Sequence, residues 1–497
     1  MVTHCEETYH SAAQGDHADW ISVLPDEILV CILSRLPIRD AATTSCLAAR
    51  WRHLWKSVPK LVINARTVGV DDIQEEETNR QLYEARTAEF IRKVDTMLLT
   101  RGTAGVDMFS LWFPYLTCAH ANEVDRWWTV LAESTTRVSL FVLRTARKSS
   151  REAMGGSHVE PYEFPLQSIA SVGSQMRKLC LKNCGLKVAP EMGPASPFTL
   201  MACIKLEFVS VTDMEVRILI DLCGALTKVV IICCHRIVQL HVVHARLQHL
   251  AVERCKNLQS MRIHAPALLQ LRYSGRRIAV DYVHVPLLHM LKLLFVRKNQ
   301  CPLDCLGALP GLKTLFLQFP SPVAVSPEQL RHDRRFAGLQ TIKLLLLNSW
   351  SGNIVSVSYL LKACPLIKTL KLEVYSLAAN YVHDFMCFSW TFHWVQVLGE
   401  KQSADLPLAK MEPDIMWPEG CLARSLRRIS IRGFGGEPEL TELAMVLLRT
   451  SPGLVRLRVR LLRWRKHGDG ERREHARALA LTKLAPRVPS RVKFTVF

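Results

Sequence analysis

Residues 176–186 read MRKLCLKNCGL, and this stretch decides the architecture of most of the chain. Met176, Leu179 and Leu181 make an apolar-x-x-apolar-x-apolar run, with Cys184 and Leu186 following it. The alternation around Leu179 and Leu181 is that of a strand with one buried face. The run returns at Met201, Leu226, Leu247, Leu268, Leu288, Leu312, Leu339, Ile367, Leu426 and Leu454. Up to Ile367 the starts are 25, 25, 21, 21, 20, 24, 27 and 28 residues apart, and the step to Leu426 is about twice as long. A unit this short cannot bury its own apolar face, so the units must stack into a solenoid.

The periods fall in the range of leucine-rich repeats, and Cys184, Cys234 and Cys255 occupy that repeat's Asn-or-Cys position. Cys223, Cys364 and Ser451 each stand three residues before a repeat start, where a small residue closes a turn. The short units from Leu247 to Leu288 have no room for a full helix and predict strands joined tightly, as at His264-Ala-Pro266. Longer units predict helices over Asp213–Leu222, Val357–Lys362 and Leu440–Leu448. Residues 376–420, with Trp390, Trp394 and Trp417, break the period and read as an insertion.

Upstream lies a different kind of segment, WISVLPDEILVCILSRLPIRDAATTSCLAARWRHLW, from Trp20 to Trp55. Ile28, Leu29, Ile32, Leu33 and Leu36 recur at helical spacing behind Pro25, a residue suited to a first helical position, and Asp26 and Glu27 suit the positive end of the helix dipole. Pro37 stops that helix and Asp40 can cap a second. Leu47, Trp51, Leu54 and Trp55 give a further apolar face. So small a unit leaves apolar surface to dock on the rest of the chain or on a partner.

Leu24-Pro25-Asp26-Glu27-Ile28-Leu29, Leu33, Leu36-Pro37 and Arg50-Trp51-Arg52-His53-Leu54-Trp55 resemble an F-box. The stretch from Cys421 through Ser430 and Gly436 to Leu454 is similar to the FBD region that follows leucine-rich repeats in many plant F-box proteins. The resemblance implies an α/β chain: a small N-terminal helical F-box, then a curved leucine-rich-repeat solenoid whose parallel strand ladder carries helices or loops on its outer face. The expected boundaries are 19–63 for the F-box, 64–160 for a linker and the start of the repeat domain, 161–420 for the repeats, 421–463 for FBD-like final repeats and 464–497 for a basic tail. It also implies a non-catalytic substrate receptor. Leu24, Pro25, Ile28, Leu29, Ile32, Leu33, Leu36, Pro37, Leu47, Trp51, Leu54 and Trp55 would bind a Skp-family adaptor, and through it a cullin, while the repeats hold a protein for ubiquitination.

Between the two regions, Asp71 to Glu77 is an acidic run, followed by helical spacing through Leu82, Phe90, Val94, Met97 and Leu98. Phe109, Leu111 and Phe113 alternate like a strand, Val124 to Leu131 is helical with Trp127 and Trp128 as core residues, and Val138 to Leu143 is a second strand. Arg144 to Ser157, rich in Arg, Ser and Gly, reads as a loop.

Composition excludes several classes. Residues 1–18 hold no basic-then-apolar leader, and the apolar runs 229–234 and 344–347 are too short to span a membrane. The 16 cysteines form no CxxC pair, which predicts reduced thiols and a cytosolic or nuclear protein with no metal site and no cofactor. No nucleophile elbow, HExxH or dinucleotide fingerprint occurs, and Gly433, Gly435 and Gly436 lack the Lys-Ser/Thr of a phosphate loop. A net charge of +19, with the segment Arg456 to Arg477 as its sharpest feature, keeps a polyanion- or nucleic-acid-binding protein, or a scaffold outside ubiquitin transfer, as the competing reading.

The repeat geometry also places charge. The residue between the two later apolar positions of each unit must face outward: Cys180, Lys205, Val230, Ala251, Arg272, Lys292, Phe316, Lys343, Lys371, Ser430 and Arg458. None is acidic, and Glu207, Glu253 and Glu373 come only at strand exits. Lys205, Arg272, Lys292, Lys343, Lys371 and Arg458, with Phe316 as an apolar anchor, therefore predict a target with an acidic or phosphorylated segment.

Overall fold

The computed structural model describes residues 20–70, 80–102, 105–133, 139–145, 160–170, 175–188, 197–295, 309, 311–319, 338–347, 357, 360–361, 364–375, 423–462 and 469–497. The chain forms two compact units, Met1–Tyr162 with Ser168–Met176, and Glu163–Gln167 with Arg177–Phe497.

The first unit opens with short helices Trp20–Val23, Asp26–Leu33, Ile38–Thr43 and Trp51–Leu54. Prolines set the breaks: Pro25 and Pro37 both sit in extended backbone just before a helix, at the N-cap rather than at the first helical position, and Pro37, not Asp40, precedes the second helix. The first helix has already ended at Leu33, before Pro37 is reached. Strands Lys60–Asn64, Met108–Trp112 and Leu140–Arg144 then pair in parallel, with Leu61, Phe109 and Phe141 in register and buried. The helices Arg80–Arg101 and Ala121–Glu133 supply the rest of this core, where Phe90 stacks on Phe113 at 3.9 Å and Trp127 and Trp128 are buried. Each indole N–H finds an acceptor, Asp95 Oδ1 at 2.7 Å for Trp127 and the Tyr162 hydroxyl at 2.6 Å for Trp128, which lets two polar edges sit in an apolar interior.

Arg101 ends the long helix and is almost fully buried. It donates to the carbonyls of Val58 at 2.8 Å, Gly105 at 3.0 Å and Lys56 at 3.1 Å. The helical segment is thus docked on the strands that follow it, within one unit.

In the second unit twelve strands stack in parallel, running Lys178–Lys182, Cys203–Glu207, Lys228–Ile232, His249–Glu253, Gln270–Gly275, Met290–Phe295, Thr314–Phe319, Thr341–Leu347, Thr369–Tyr375, Arg428–Phe434, Arg456–Leu461 and Lys493–Val496. The leucines of the repeat alternate inward, so Leu179, Ile204, Val229, Leu250, Leu271, Leu291, Leu315, Ile342, Leu370, Ile429 and Leu457 are all buried. Before the strands the chain makes the expected tight turn: the N–H groups of Leu226, Ile367 and Leu454 donate to the carbonyls of Cys223, Cys364 and Ser451 at 3.1, 3.2 and 3.1 Å. Helices Asp213–Asp221 and Pro438–Thr450 fill two of the longer units. Val357, Leu360 and Leu361 are helical and buried; the rest of that expected helix, the acidic run 71–77, most of the 144–157 loop and the 376–420 insertion lie outside the described residues.

Two features differ from the sequence reading. The short units carry a second parallel sheet, Gln239–Val243, Ser260–His264 and Ala279–His284, because their return segments also alternate, as in Leu240 and Val242 buried between exposed neighbours. And residues 469–497 are not a basic tail. Asp469–Leu479 is helical, and Lys493–Val496 pairs with Arg456–Leu461 as a further rung of the ladder. Ala476, Ala480 and Leu484 anchor it with a stripe so narrow that the surrounding Arg and Glu conceal it.

Candidate functional site

Two surfaces stand out, one on each unit. The first is on the helix Asp26–Leu33, which is apolar on two sides. Leu29 and Leu33 are buried and the helix packs on the Trp51–Leu54 turn. Ile28, Ile32 and Leu36 remain 47, 46 and 42% exposed. The i, i+4 spacing puts Ile28 and Ile32 on one open stripe of the helix, and Leu36, beyond the helix end at Leu33, is exposed in the turn that follows. Pro25, Pro37 and Leu47 are exposed as well, and Leu24 is half-buried.

The expected adaptor set therefore splits. Leu29, Leu33, Trp51, Leu54 and Trp55 form the interior that holds the helices, so they are not an open contact face. Leu47 is separated from them because the chain is helical only from Trp51 to Leu54, so the i, i+4 relation to Trp51 is not realised. The exposed Ile21 and Val23 extend the apolar surface and were missed; their signal was the run Ile21-Ser-Val23-Leu24 before the first proline.

The second surface is the open face of the ladder. Cys180, Lys205, Val230, Ala251, Arg272, Lys292, Phe316, Lys343, Lys371, Ser430 and Arg458 are register partners in an unbroken row, ending at Thr495. The row is as the repeat geometry demands. Its charge is not uniform, because the glutamates at the strand exits reach back to it. Glu207 pairs with Lys182 and with Lys205 at 2.9 Å, Glu253 meets Arg272 at 3.0 Å, and Glu373 meets Lys343 at 2.8 Å and Arg432 at 3.2 Å.

At the centre of the row Phe316 lies between two ammonium groups, Lys292 Nζ at 4.3 Å and Lys343 Nζ at 5.0 Å from the ring centroid. The ring face attracts both cations, so Phe316 is held between the lysines. Burial, with Arg272 and Lys343 nearby, pulls the Lys292 ammonium down to about 8. Glu253 is fully buried and burial pushes its carboxyl up to about 7, against the pull of Arg272, Lys292, Arg254 and Lys205.

The cysteines at the repeat positions are core. Cys184, Cys223, Cys234, Cys255 and Cys364 are buried, and burial raises the thiols of Cys184, Cys223 and Cys255 to about 12. His241 lies on an exposed strand position, whereas His244 turns back so that Nε2 is 2.9 Å from the Cys223 carbonyl.

The ladder is matched from residue 98 to 497 by the family model described as the At1g61320/AtMIF1 LRR domain, and residues 21–63 are matched by the F-box domain model. The chain is a plant-type F-box/leucine-rich-repeat protein. Its arrangement is similar along nearly its whole length to the FBD-associated F-box protein At5g56370 of Arabidopsis thaliana, 25% identical over 474 residues that cover 88% of this chain and 94% of that one. The F-box/LRR-repeat protein 13 of Arabidopsis thaliana is 29% identical over 291 residues, 56% of each chain. An F-box protein of that plant, At3g58860, is 35% identical over 129 residues, 26% of this chain and 27% of the relative. For the last two, the F-box/LRR chain spans less than two thirds of the relative's length. No helix among the described residues is long and apolar enough to cross a membrane.

Proposed function

We propose that this F-box/leucine-rich-repeat chain is the non-catalytic substrate-recognition subunit of a Skp-cullin-F-box type ubiquitin ligase, acting in the cytosol or nucleus. The observation that carries the reading is the open stripe of Ile28 and Ile32, with exposed Leu36 just beyond it, on a helix whose other apolar side, Leu29 and Leu33, is already buried. An apolar face left over after the helix has packed is the form a helix-docking surface takes. The adaptor would cover that stripe with Leu24, Pro25, Pro37 and Leu47, and the row from Lys205 to Arg458 would hold the protein to be ubiquitinated. Co-purification of the full chain with a Skp-family adaptor tests the first half. Proteins captured by wild type and ubiquitinated only when the stripe is intact test the second, and capture without any adaptor would instead mark a scaffold outside ubiquitin transfer.

A further inference from the structure

The exit carboxylates divide the ladder's open face into two electrostatic halves. From Lys182 to Lys343, four basic residues, Lys182, Lys205, Arg272 and Lys343, each meet a carboxylate of Glu207, Glu253 or Glu373, while Lys292 lies over the Phe316 ring. Beyond Glu373 the described open-face positions carry no further carboxylate. On the next three strands they are Arg428, Ser430 and Arg432, then Arg456, Arg458 and Arg460, then Lys493 and Thr495. Register sets Arg456 between Arg428 and Lys493, Arg432 beside Arg460, and Arg458 between Ser430 and Thr495. Among the described residues only Arg432 of these cations has a carboxylate, the Glu373 it shares with Lys343. The Arg456 Nε and the Thr495 hydroxyl are shielded from solvent and have no hydrogen-bond partner there.

Neighbouring strands stand about 4.8 Å apart and alternate residues about 6.6 Å apart along a strand, so five guanidinium groups share a field roughly the size of a short peptide. Mutual repulsion is relieved only by anions. Guanidinium forks fit phosphate bidentately, where lysines would act as point charges. Beside them Phe497, exposed, is bound through its backbone to Val459 and Leu461, the strand that bears Arg458 and Arg460. One ring at the margin suits one apolar side chain flanking a phosphate, whereas single-stranded nucleic acid is held on a series of stacked rings.

We infer that this arginine field seats a phosphorylated segment of the target protein, with the phosphate taken by Arg432, Arg458 and Arg460. The inference rests on the receptor reading and narrows it: the paired basic residues of the first half shape the face, and Arg458 and Arg460, which meet no carboxylate among the described residues, select the anion with Arg432 beside Arg460.

The test uses the full-length chain, with and without adaptor. Its probes are a degenerate peptide library with a fixed phosphoserine, the same library with serine, and a fifteen-nucleotide oligo(dT). The phosphoserine library is expected to be retained about tenfold or more over the serine library, and Arg458→Glu with Arg460→Glu to abolish that difference while the melting curve is unchanged. Arg458→Lys with Arg460→Lys, which keeps charge and loses the fork, should retain an intermediate fraction. Arg217→Gln, an exposed change on the helix Asp213–Asp221 and outside the row, should retain the library as wild type does. Equal retention of both libraries, equal retention by the double reversal, or oligo(dT) displacing the phosphopeptides at equal concentration each overturns the inference. Failure to bind the adaptor would leave this peptide result intact and count against the ligase reading alone.

Discussion

Arg50 reaches back across the helical segment to Asp26, with Nε at 2.8 Å and Nη2 at 2.5 Å from the same Oδ1, and Nη2 also donates to the Leu24 carbonyl at 2.6 Å. The two ends of the motif, Leu-Pro-Asp-Glu and Arg-Trp, are thereby tied into one object. Asp26 both begins the helix that presents Ile28 and Ile32 and receives the arginine that precedes buried Trp51.

Replacing Ile28 and Ile32 together by Ala should therefore separate binding from folding. Covering each side chain is worth roughly 1.5 to 3 kcal/mol, so adaptor affinity should fall by about two to four orders of magnitude in a titration with purified adaptor. The melting temperature should hold. Leu33→Ala, next to Ile32 in the chain but buried, should instead cost roughly 2 to 5 kcal/mol of stability. An Ile28/Ile32 variant that binds as wild type does would remove the adaptor face.

Lys343 and Lys371 are register partners but not equivalents. Reversing Lys343 to Glu sets a second carboxylate against Glu373 and should lower the melting temperature by about 2 to 4 °C, the shift that roughly 1 kcal/mol gives a domain of this size. Lys371→Glu, exposed and without an ion pair among the described residues, should leave melting unchanged and slow target association, most visibly at low salt. Surface plasmon resonance over a salt series, beside calorimetry, reads both.

Glu253 gives the ladder a pH dependence of definite sign. Its carboxyl goes from an ordinary value near 4.5 to about 7 on burial, so the folded chain holds a proton that the unfolded chain releases. Stability should fall as pH rises from about 4.5 to about 7, and Glu253→Gln should flatten that part of a melting-temperature profile. A profile of equal slope in the variant would assign the dependence to other groups.

Thiol reactivity should follow burial. Cys31, Cys46 and Cys118 are exposed and should alkylate in the native protein, while Cys184, Cys234 and Cys255 should react only after denaturation. Peptide mass spectrometry before and after guanidinium separates the two sets.

Gly433 should tolerate nothing larger. It has φ +80°, and an added Cβ would come within 2.2 Å of the Val374 carbonyl oxygen on the neighbouring strand. Gly433→Ala is expected to cost about 2 to 4 kcal/mol by chemical denaturation.

The repeat was legible because its period is carried by large aliphatic side chains at fixed offsets: Leu179 and Leu181 suffice to say which face is buried, hence which residues line the open row. What that logic could not see was anything reaching across rungs. Glu207 and Glu373 were placed correctly at strand exits, but their pairing with Lys205 and Lys343 depends on side-chain reach between neighbouring strands. The same limit hid which apolar residues of the helical segment were spare, since Ile28 and Leu29 look alike until the Trp51–Leu54 turn takes one of them. The last rung escaped because Phe494 and Val496 are a short alternation beyond a helix whose buried stripe is alanine.

Arg101 changes how the segment bearing the adaptor stripe should be handled experimentally. Burial pulls its guanidinium down to about 10, and Nε and Nη2 are held by the Lys56 and Val58 carbonyls from the end of that segment as well as by Gly105. Cutting the chain after residue 63 would strip two of those three acceptors from a buried cation and take away nearly all of the strand Lys60–Asn64. A truncation would therefore confound loss of the adaptor with collapse of its neighbours, whereas point changes on the open stripe would not. It also makes the anchorage stiff: an adaptor gripping the first helices would hold the strands Lys60–Asn64 and Met108–Trp112 by a strut rather than by a tether.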